Sequence, residues 1–277
     1  MNEPEAARLL EVARAGDPAA LDALLAHYQP RIYRFGMKMC RRPEDAADVL
    51  QDTLLAMARG LRDFRGASSV STWLYTIARS YCIKKRRRSK FAPERELSLE
   101  AEAREEVRGL AHPGPRPDEA LEARRLEQAL ARSIASLDPK YRDVLVLRDV
   151  EGLPAGEVAQ VMGLSVQAVK SRLHRARASV RERVAPVLGL AMPPQPVGRK
   201  PCPDIVRLFS RHLEGDLSSN ICAEMEKHLE ACGWCQASCE SLKKTLGLCR
   251  LSPAPEVPAE LQVSIRAGIR AFLAEGR

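Results

Sequence analysis

The sequence predicts an all-α protein built from several small helical domains, and three observations carry that prediction. Apolar residues recur at three- and four-residue steps along most of the chain. No stretch of useful length alternates apolar and polar residues as a half-buried strand does. Aromatic residues make up only 4% while Ala, Leu, Arg and Glu abound, a composition suited to small helical cores. For 277 residues, at roughly 100–200 per domain, two or three units are expected. The chain is basic, with a formal net charge of +8. No apolar run approaches the roughly 18–20 residues that span a bilayer. The start, MNEPEAARLLEVARAGD, is too acidic and polar for a signal peptide. A cytoplasmic protein without a membrane partner is therefore expected.

Composition divides the chain. Residues 1–92 are helical in pattern and end in the basic run KKRRRSK. Residues 93–120 are charged, then rich in Pro and Gly, and read as a linker. Residues 121–186 are helical again. Residues 187–201 form a second linker with Pro193, Pro194, Pro196 and Pro201. Residues 202–277 hold six of the eight cysteines. In a reducing compartment such a cluster points to a metal or redox site rather than a disulfide framework.

In the first block, residues 1–20 read as a first helix that frays. The segment RRPEDAADVLQDTLLAMARGLRDFRG (41–66) opens on Pro43 and an acidic first turn, favourable at a helix N-terminus. Leu50, Leu54, Met57 and Leu61 make its buried stripe. Asp48, Gln51 and Asp52 share another face, exposed and acidic within a basic protein. The next segment, ASSVSTWLYTIARSYCIKKRRRSK (67–90), sets Trp73 and Tyr75 ahead of a strongly basic helix end. Aromatic rings can stack on unpaired bases while cations follow the backbone. The plainer reading puts Trp73 in the core and the basic run in solvent. Cys40 and Cys82 lie in apolar contexts and read as small core residues.

The second block carries LPAGEVAQVMGLSVQAVKSRLHRARASV (153–180). Pro154 can open a short helix. Gly163 permits the left-handed backbone of a tight turn, and Ser165 is placed to cap the next helix. Val166, Val169, Leu173, Ala176 and Val180 form one buried stripe. Gln167, Lys170, Ser171, His174 and Arg175 fall on the other side. That is the layout of a recognition helix, whose apolar face packs down while donors of its first turns enter the major groove. Arg172, Arg177 and Arg181 are expected to meet phosphates. SLDPKYRDVLVLRDVEG (136–152) supplies a supporting helix, with Asp138 as cap, Pro139 as start and Gly152 as end.

The tail contains KHLEACGWC (227–235). His228 and Cys232 are four apart, on one helix face, and Cys235 follows a turn through Gly233. A closed tetrahedral zinc site needs four ligands. Cys202 is the expected fourth, if the two helices broken at EGDLSS fold back. Cys222, Cys239 and His212 compete for that place. A zinc hydrolase is excluded: there is no His-Glu-x-x-His motif, and a filled Cys-rich site leaves no position for water.

Taken together, an acidic-faced helix, an aromatic-to-basic helix, a linker and a helix-turn-helix resemble the bacterial extracytoplasmic-function (ECF) sigma factors. The resemblance covers roughly residues 20–186. It rests on PEDAADVLQDTLLAMARGLRDFRG, STWLYTIARS and LDPKYRDVLVLRDVEGLPAGEVAQVMGLSVQAVKSRLHRAR. It implies that Asp48, Gln51 and Asp52 dock on the core RNA polymerase. It implies that the segment from Ser68 to Lys85, with Trp73, Arg79, Ser80, Lys84 and Lys85, melts and reads the −10 promoter element. Gln167, Lys170, Ser171, Arg172, His174 and Arg175 would read the −35 element. The chain departs from the family where Ser80 and Lys84 replace the usual Asn and Asp.

The early Cys, the turn LEGDLSS and the His-x3-Cys-x2-Cys run resemble the zinc-containing anti-sigma domain, over about residues 202–275. In that family the domain wedges between the two DNA-reading domains of a sigma factor. Here it is fused behind them, which implies one zinc ion, intramolecular contact with the sigma domains and regulation in cis. The final helix (257–276) has Leu261, Ile265, Ile269, Phe272 and Leu273 on one side. By resemblance it covers the polymerase-docking face, and alternatively it only closes the core of the tail. Structural zinc, redox switching and metal sensing all fit the surplus Cys222, Cys239 and Cys249. The competing function is a stand-alone helix-turn-helix regulator with a metal- or redox-sensing tail. The acidic face at Asp48, Gln51 and Asp52 favours the sigma reading, because a plain repressor has no need to dock polymerase.

Overall fold

The structure, a computed structural model, describes residues 2–40, 42–61, 63–91, 117–190 and 202–275. The first block is a bundle of four helices. Helix α1 (Glu3–Arg14) starts in a reciprocal capping box between Asn2 and Glu5. It buries Ala6, Leu10 and Ala13, so this end is packed rather than frayed. Helix α2 (Pro18–Met39) is capped by Asp17, which accepts from the amides of Ala19 and Ala20. Helix α3 (Pro43–Gly60) and helix α4 (Val70–Phe91) complete the bundle. Leu50, Leu54, Met57 and Leu61 are all buried, as the stripe requires.

The second block is α5 (Pro117–Ala135), α6 (Pro139–Leu145), α7 (Ala155–Met162) and α8 (Val166–Val184). Helix α5 begins inside the stretch that composition marks as a linker. Helix α6 is capped by Asp138 and runs on as a π-helical turn over Val146–Val150. Gly163 adopts φ +65° between α7 and α8, and the Ser165 hydroxyl accepts from the Ala168 amide. Of the expected stripe, Val169, Leu173, Ala176 and Val180 are buried. Val166 is 39% exposed, because it starts the helix where the stripe runs out.

The tail forms α9 (Ile205–Leu213), α10 (Ser219–Ala231), α11 (Gly233–Leu251) and α12 (Ala259–Glu275). Gly215, at φ +68°, makes the turn after α9. The break before α11 falls on Cys232 rather than Gly233. Cys232 ends α10 and caps α11 in extended geometry, and Gly233 is already helical. Ile205, Phe209, Met225, Cys235, Cys239, Leu242 and Leu246 form a small core of their own. Cys249, Val257, Ile265 and Ile269 instead join the large core of the first two blocks. Helix α12 therefore does more than close the tail. Burying each of its two isoleucines contributes roughly 1.5–3 kcal/mol.

Carboxylates of the second block grip the first. The buried Glu151 carboxylate accepts both Nε and an Nη of Arg34, at 2.8 and 2.7 Å, and the Tyr75 hydroxyl at 2.7 Å. Asp143 takes Arg79 Nε at 2.9 Å and Arg86 at 3.5 Å. Glu157 takes the hydroxyls of Ser69 and Thr72 at 2.9 and 2.7 Å. Arg34 also donates to the Ser252 carbonyl at 3.2 Å, and Lys38 to the Ser252 hydroxyl at 3.0 Å, so the end of α11 is tied to the same seam. The Glu151 carboxylate raises the pKa of Arg34. Burial, with Glu151 alongside, drives that of Tyr75 well up.

Candidate functional site

The four expected metal ligands converge. Cys202, His228, Cys232 and Cys235 bring one donor atom each to within 4.8 Å of all the others. The Cys202 and Cys232 sulfurs are 3.8 Å apart, and His228 Nε2 is 3.1 Å from Cys235 Sγ. Tetrahedral zinc with Zn–S near 2.3 Å needs sulfur–sulfur edges of about 3.8 Å, so the donor set fits such an ion. Backbone geometry explains the convergence. His228 lies on the last turn of α10, Cys232 is the one-residue corner, and Cys235 lies on the first turn of α11. The Cys235 backbone amide lowers the Cys232 thiol pKa, whereas burial beside the other sulfurs raises that of Cys235. The competitors stand apart. Cys222 meets His212 at 3.5 Å, and Cys239 is buried in the small core.

Cys202 leads directly into α9. Asp204 caps that helix, accepting from the Arg207 amide, and its carboxylate lies 3.9 Å from His174 Nε2 on α8. At the far end of α9, Glu214 takes Arg148 Nε at 3.0 Å and Arg177 Nη at 2.7 Å. Asp216 takes the ammonium of Lys170. Two of the expected base-reading side chains, Lys170 and His174, thus face α9. Gln167, Ser171 and Arg175 remain exposed, with Arg175 donating to the Tyr141 hydroxyl at 3.1 Å, and Arg172 is half-buried. His174 Nδ1 is buried without a partner, and burial lowers its pKa. Packing α9 here carries a cost, since an unpartnered buried polar atom is unfavourable by about 1–3 kcal/mol.

Arg177 corrects the sequence reading. It is not at a phosphate-facing position but only 1% exposed, bound to both oxygens of Asp149 at 2.8 and 2.6 Å, to Glu214 and to the Ser210 hydroxyl at 3.0 Å. Burial opposes its charge, yet the two carboxylates outweigh burial and its pKa is raised. A periodicity signal existed. Position 177 lies four after Leu173 and three before Val180, on the edge of the apolar stripe. The buried acceptors Asp143, Glu151 and Asp149 were missed outright.

The first-block candidates are also engaged. Asp48 is exposed and takes the ammonium of Lys85, which lies 3.9 Å from Asp45. Gln51 and Asp52 are half-exposed on the same helix. Helix α12 lies along α3: a Cβ at Gly268 would meet Leu55 Cδ2 at 3.5 Å, and the Arg59 guanidinium sits 5.6 Å above the Phe272 ring. Trp73 is half-buried against Phe64, 4.7 Å between ring centroids. It lies so close over Gly60 that a Cβ there would come within 2.9 Å of the indole. Tyr75 is wholly buried and offers no stacking face. Arg79 is held by Asp143, while Ser80 and Lys84 are exposed, Lys84 lying 4.9 Å above the Tyr81 ring.

Family models match three segments of the chain: Sigma-70 region 2 over residues 24–92, Sigma-70 region 4 over residues 127–180, and a zinc-finger family over residues 202–236. The ECF RNA polymerase sigma factor SigM of Mycobacterium tuberculosis is 32% identical over 188 residues, covering 68% of this chain and 87% of SigM. The RNA polymerase sigma-H factor of Pseudomonas aeruginosa is 30% identical over 185 residues, covering 65% and 94%. The ECF RNA polymerase sigma-E factor of Escherichia coli K12 is 31% identical over the same length and shares. Among solved structures, CnrH in complex with the cytosolic domain of CnrY is similar at 27% identity and a TM-score of 0.46, covering 63% of this chain and 94% of that one. Among the described residues no helix is long and apolar enough to cross a membrane.

Proposed function

The chain belongs to the extracytoplasmic-function sigma factors of RNA polymerase, and from that premise we propose that its C-terminal zinc-finger segment holds the factor closed in cis. The protein is a transcription initiation factor that directs polymerase to promoters. It is not an enzyme, and polymerase performs the chemistry. On our reading it works in the cytoplasm. Asp48, Gln51 and Asp52 dock on core polymerase. Trp73, Arg79, Ser80, Lys84 and Lys85 serve the −10 element, and Gln167, Lys170, Ser171, Arg172, His174 and Arg175 the −35 element.

One observation carries the closure. The turn after α9 sets Asp216 against Lys170, a cation that the recognition helix would otherwise offer to DNA, and anchors that turn through Glu214 on Arg148 and the buried Arg177. One further contact supports it: α12 lies on the acidic-faced helix α3. Because the segment is tethered, weak contacts suffice. A short flexible linker gives an effective concentration of about millimolar.

Cys202, His228, Cys232 and Cys235 would hold one zinc ion, which supplies a structural cross-link. In this chain the cross-link would join the start of α9 to the α10–α11 corner, keeping α9 aimed at α8. Run-off transcription with purified core polymerase tests the proposal, comparing the full chain with one ending at Gly189. An active short form and a silent full chain are expected. Activity that requires the full chain would reverse the sign of the proposal.

A further inference from the structure

Two cysteines lie outside the metal-ligand cluster, in the large core, and take no part in the closure. Cys40 ends α2 and Cys82 lies mid-way along α4, yet their sulfurs are 3.7 Å apart. We propose that Cys40 and Cys82 are a redox pair, a reversible modification site for a hydroperoxide within the polymerase-binding domain.

The two thiols are unequal in the way such a pair needs. Cys82 is fully buried whereas Cys40 is partly exposed, so a dissolved oxidant meets Cys40 first. Cys40 is half-buried and lines a cleft of about 520 Å³ between the first block and the α5–α6 corner. Lys85, Arg86, Arg87 and Arg142 line the same cleft together with Asp45, so the thiolate form would sit among four cations and one carboxylate. The contact with Cys82 lowers the Cys40 pKa; burial and Asp45 oppose that shift, and Arg86 and Lys85 assist it. The same contact together with burial pushes Cys82 well up. Cys40 is thus the nucleophile and Cys82 the resolving thiol.

The chemistry balances with the hydroperoxide as oxidant. The Cys40 thiolate attacks one peroxide oxygen, the O–O bond breaks, and the other oxygen leaves carrying the proton the thiol gave up, as water from hydrogen peroxide or as an alcohol from an alkyl hydroperoxide. Cys82 sulfur then attacks the Cys40 sulfenic sulfur. The S–O bond breaks and water leaves with the Cys82 proton. Two thiols lose two electrons to the peroxide. The resulting bond staples α2 to α4 across the bundle that holds α3, leaving the four metal-site donors untouched.

The test uses the full-length, zinc-loaded protein. It is treated with an equivalent of hydrogen peroxide, alkylated under denaturing conditions and mapped by peptide mass spectrometry. The expected product is a Cys40–Cys82 linked peptide, reversed by dithiothreitol, with zinc content unchanged. In C82S, oxidation should stop at a sulfenic acid on Cys40 that dimedone traps, while in C40S, Cys82 should stay reduced. Trapping on Cys40 in the wild-type protein during the first moments of reaction gives the same answer if a variant fails to fold. The proposal is overturned if both thiols remain free while tail cysteines oxidise, or if Cys40 links to any sulfur other than Cys82.

Discussion

Arg177 of α8 donates to the Glu214 carboxylate at 2.7 Å, so a buried cation of the second block is completed by the tail. Removing one partner of a buried charge pair costs about 2–5 kcal/mol. Asp149 stays in place, so the low end applies. The double variant E214Q/D216N should shift the closed–open balance by about 2 kcal/mol, roughly 30-fold. Fluorescence anisotropy against a promoter duplex should show that gain over the parent. Unchanged affinity would remove the turn after α9 from the closure.

The Arg34–Glu151 pair is the corresponding joint between the first two blocks. It is bidentate, and the Glu151 side chain is fully buried. E151Q leaves Arg34 short of its counter-charge, at a cost of about 3–5 kcal/mol in the joined state. Small-angle scattering should report a larger radius of gyration for the variant, and an unchanged radius would show that this pair does not hold the two blocks together.

Helix α12 should hinder polymerase docking. Its buried Ile265 and Ile269 each contribute roughly 1.5–3 kcal/mol. Ending the chain at Val257, or introducing I269D, should tighten binding to core polymerase in biolayer interferometry. Equal affinity for both forms would mean that α12 leaves the docking face free.

Metal removal should loosen the tail before the rest. Structural zinc contributes on the order of 10 kcal/mol in small domains. C232S should lose stoichiometric zinc by elemental analysis, melt earlier and transcribe more. Full stability without metal would show that the Cys/His cluster has no structural role.

Two thiols should be inert. Burial pushes Cys239 up to about 11 and Cys249 up to about 12. Their reactive thiolates form only as pH rises towards those values, so at pH 8 both stay protonated. Iodoacetamide at pH 8 should spare both in the native protein and modify both after denaturation. Neither then serves as a fast redox sensor in the closed form.

Much of this protein was legible one helix at a time. The Gly163 turn, the Ser165 cap and the Leu50–Leu54–Met57–Leu61 stripe each follow from residues within a few positions of one another. Cys202 was harder, being 26 residues from His228. It was accessible because a closed zinc site demands a fourth ligand. Tyr75 and Arg177 misled because an aromatic ring and a guanidinium are chemically suited to nucleic acid wherever they stand. Whether they face outward depends on which helix lies against them.

By itself, then, the sequence determined the all-α class, the helix-turn-helix and the Cys/His donor set, all expressed in local spacing. Only the tertiary structure decided that Glu214 and Asp216 meet α8, that Glu151 locks Arg34 and Tyr75, and that Cys40 touches Cys82. These partners lie 37 to 117 residues apart. A charge or thiol carries no local mark of its partner. The pairing exists only once packed helices bring both groups to one place and exclude the water that would otherwise solvate each alone.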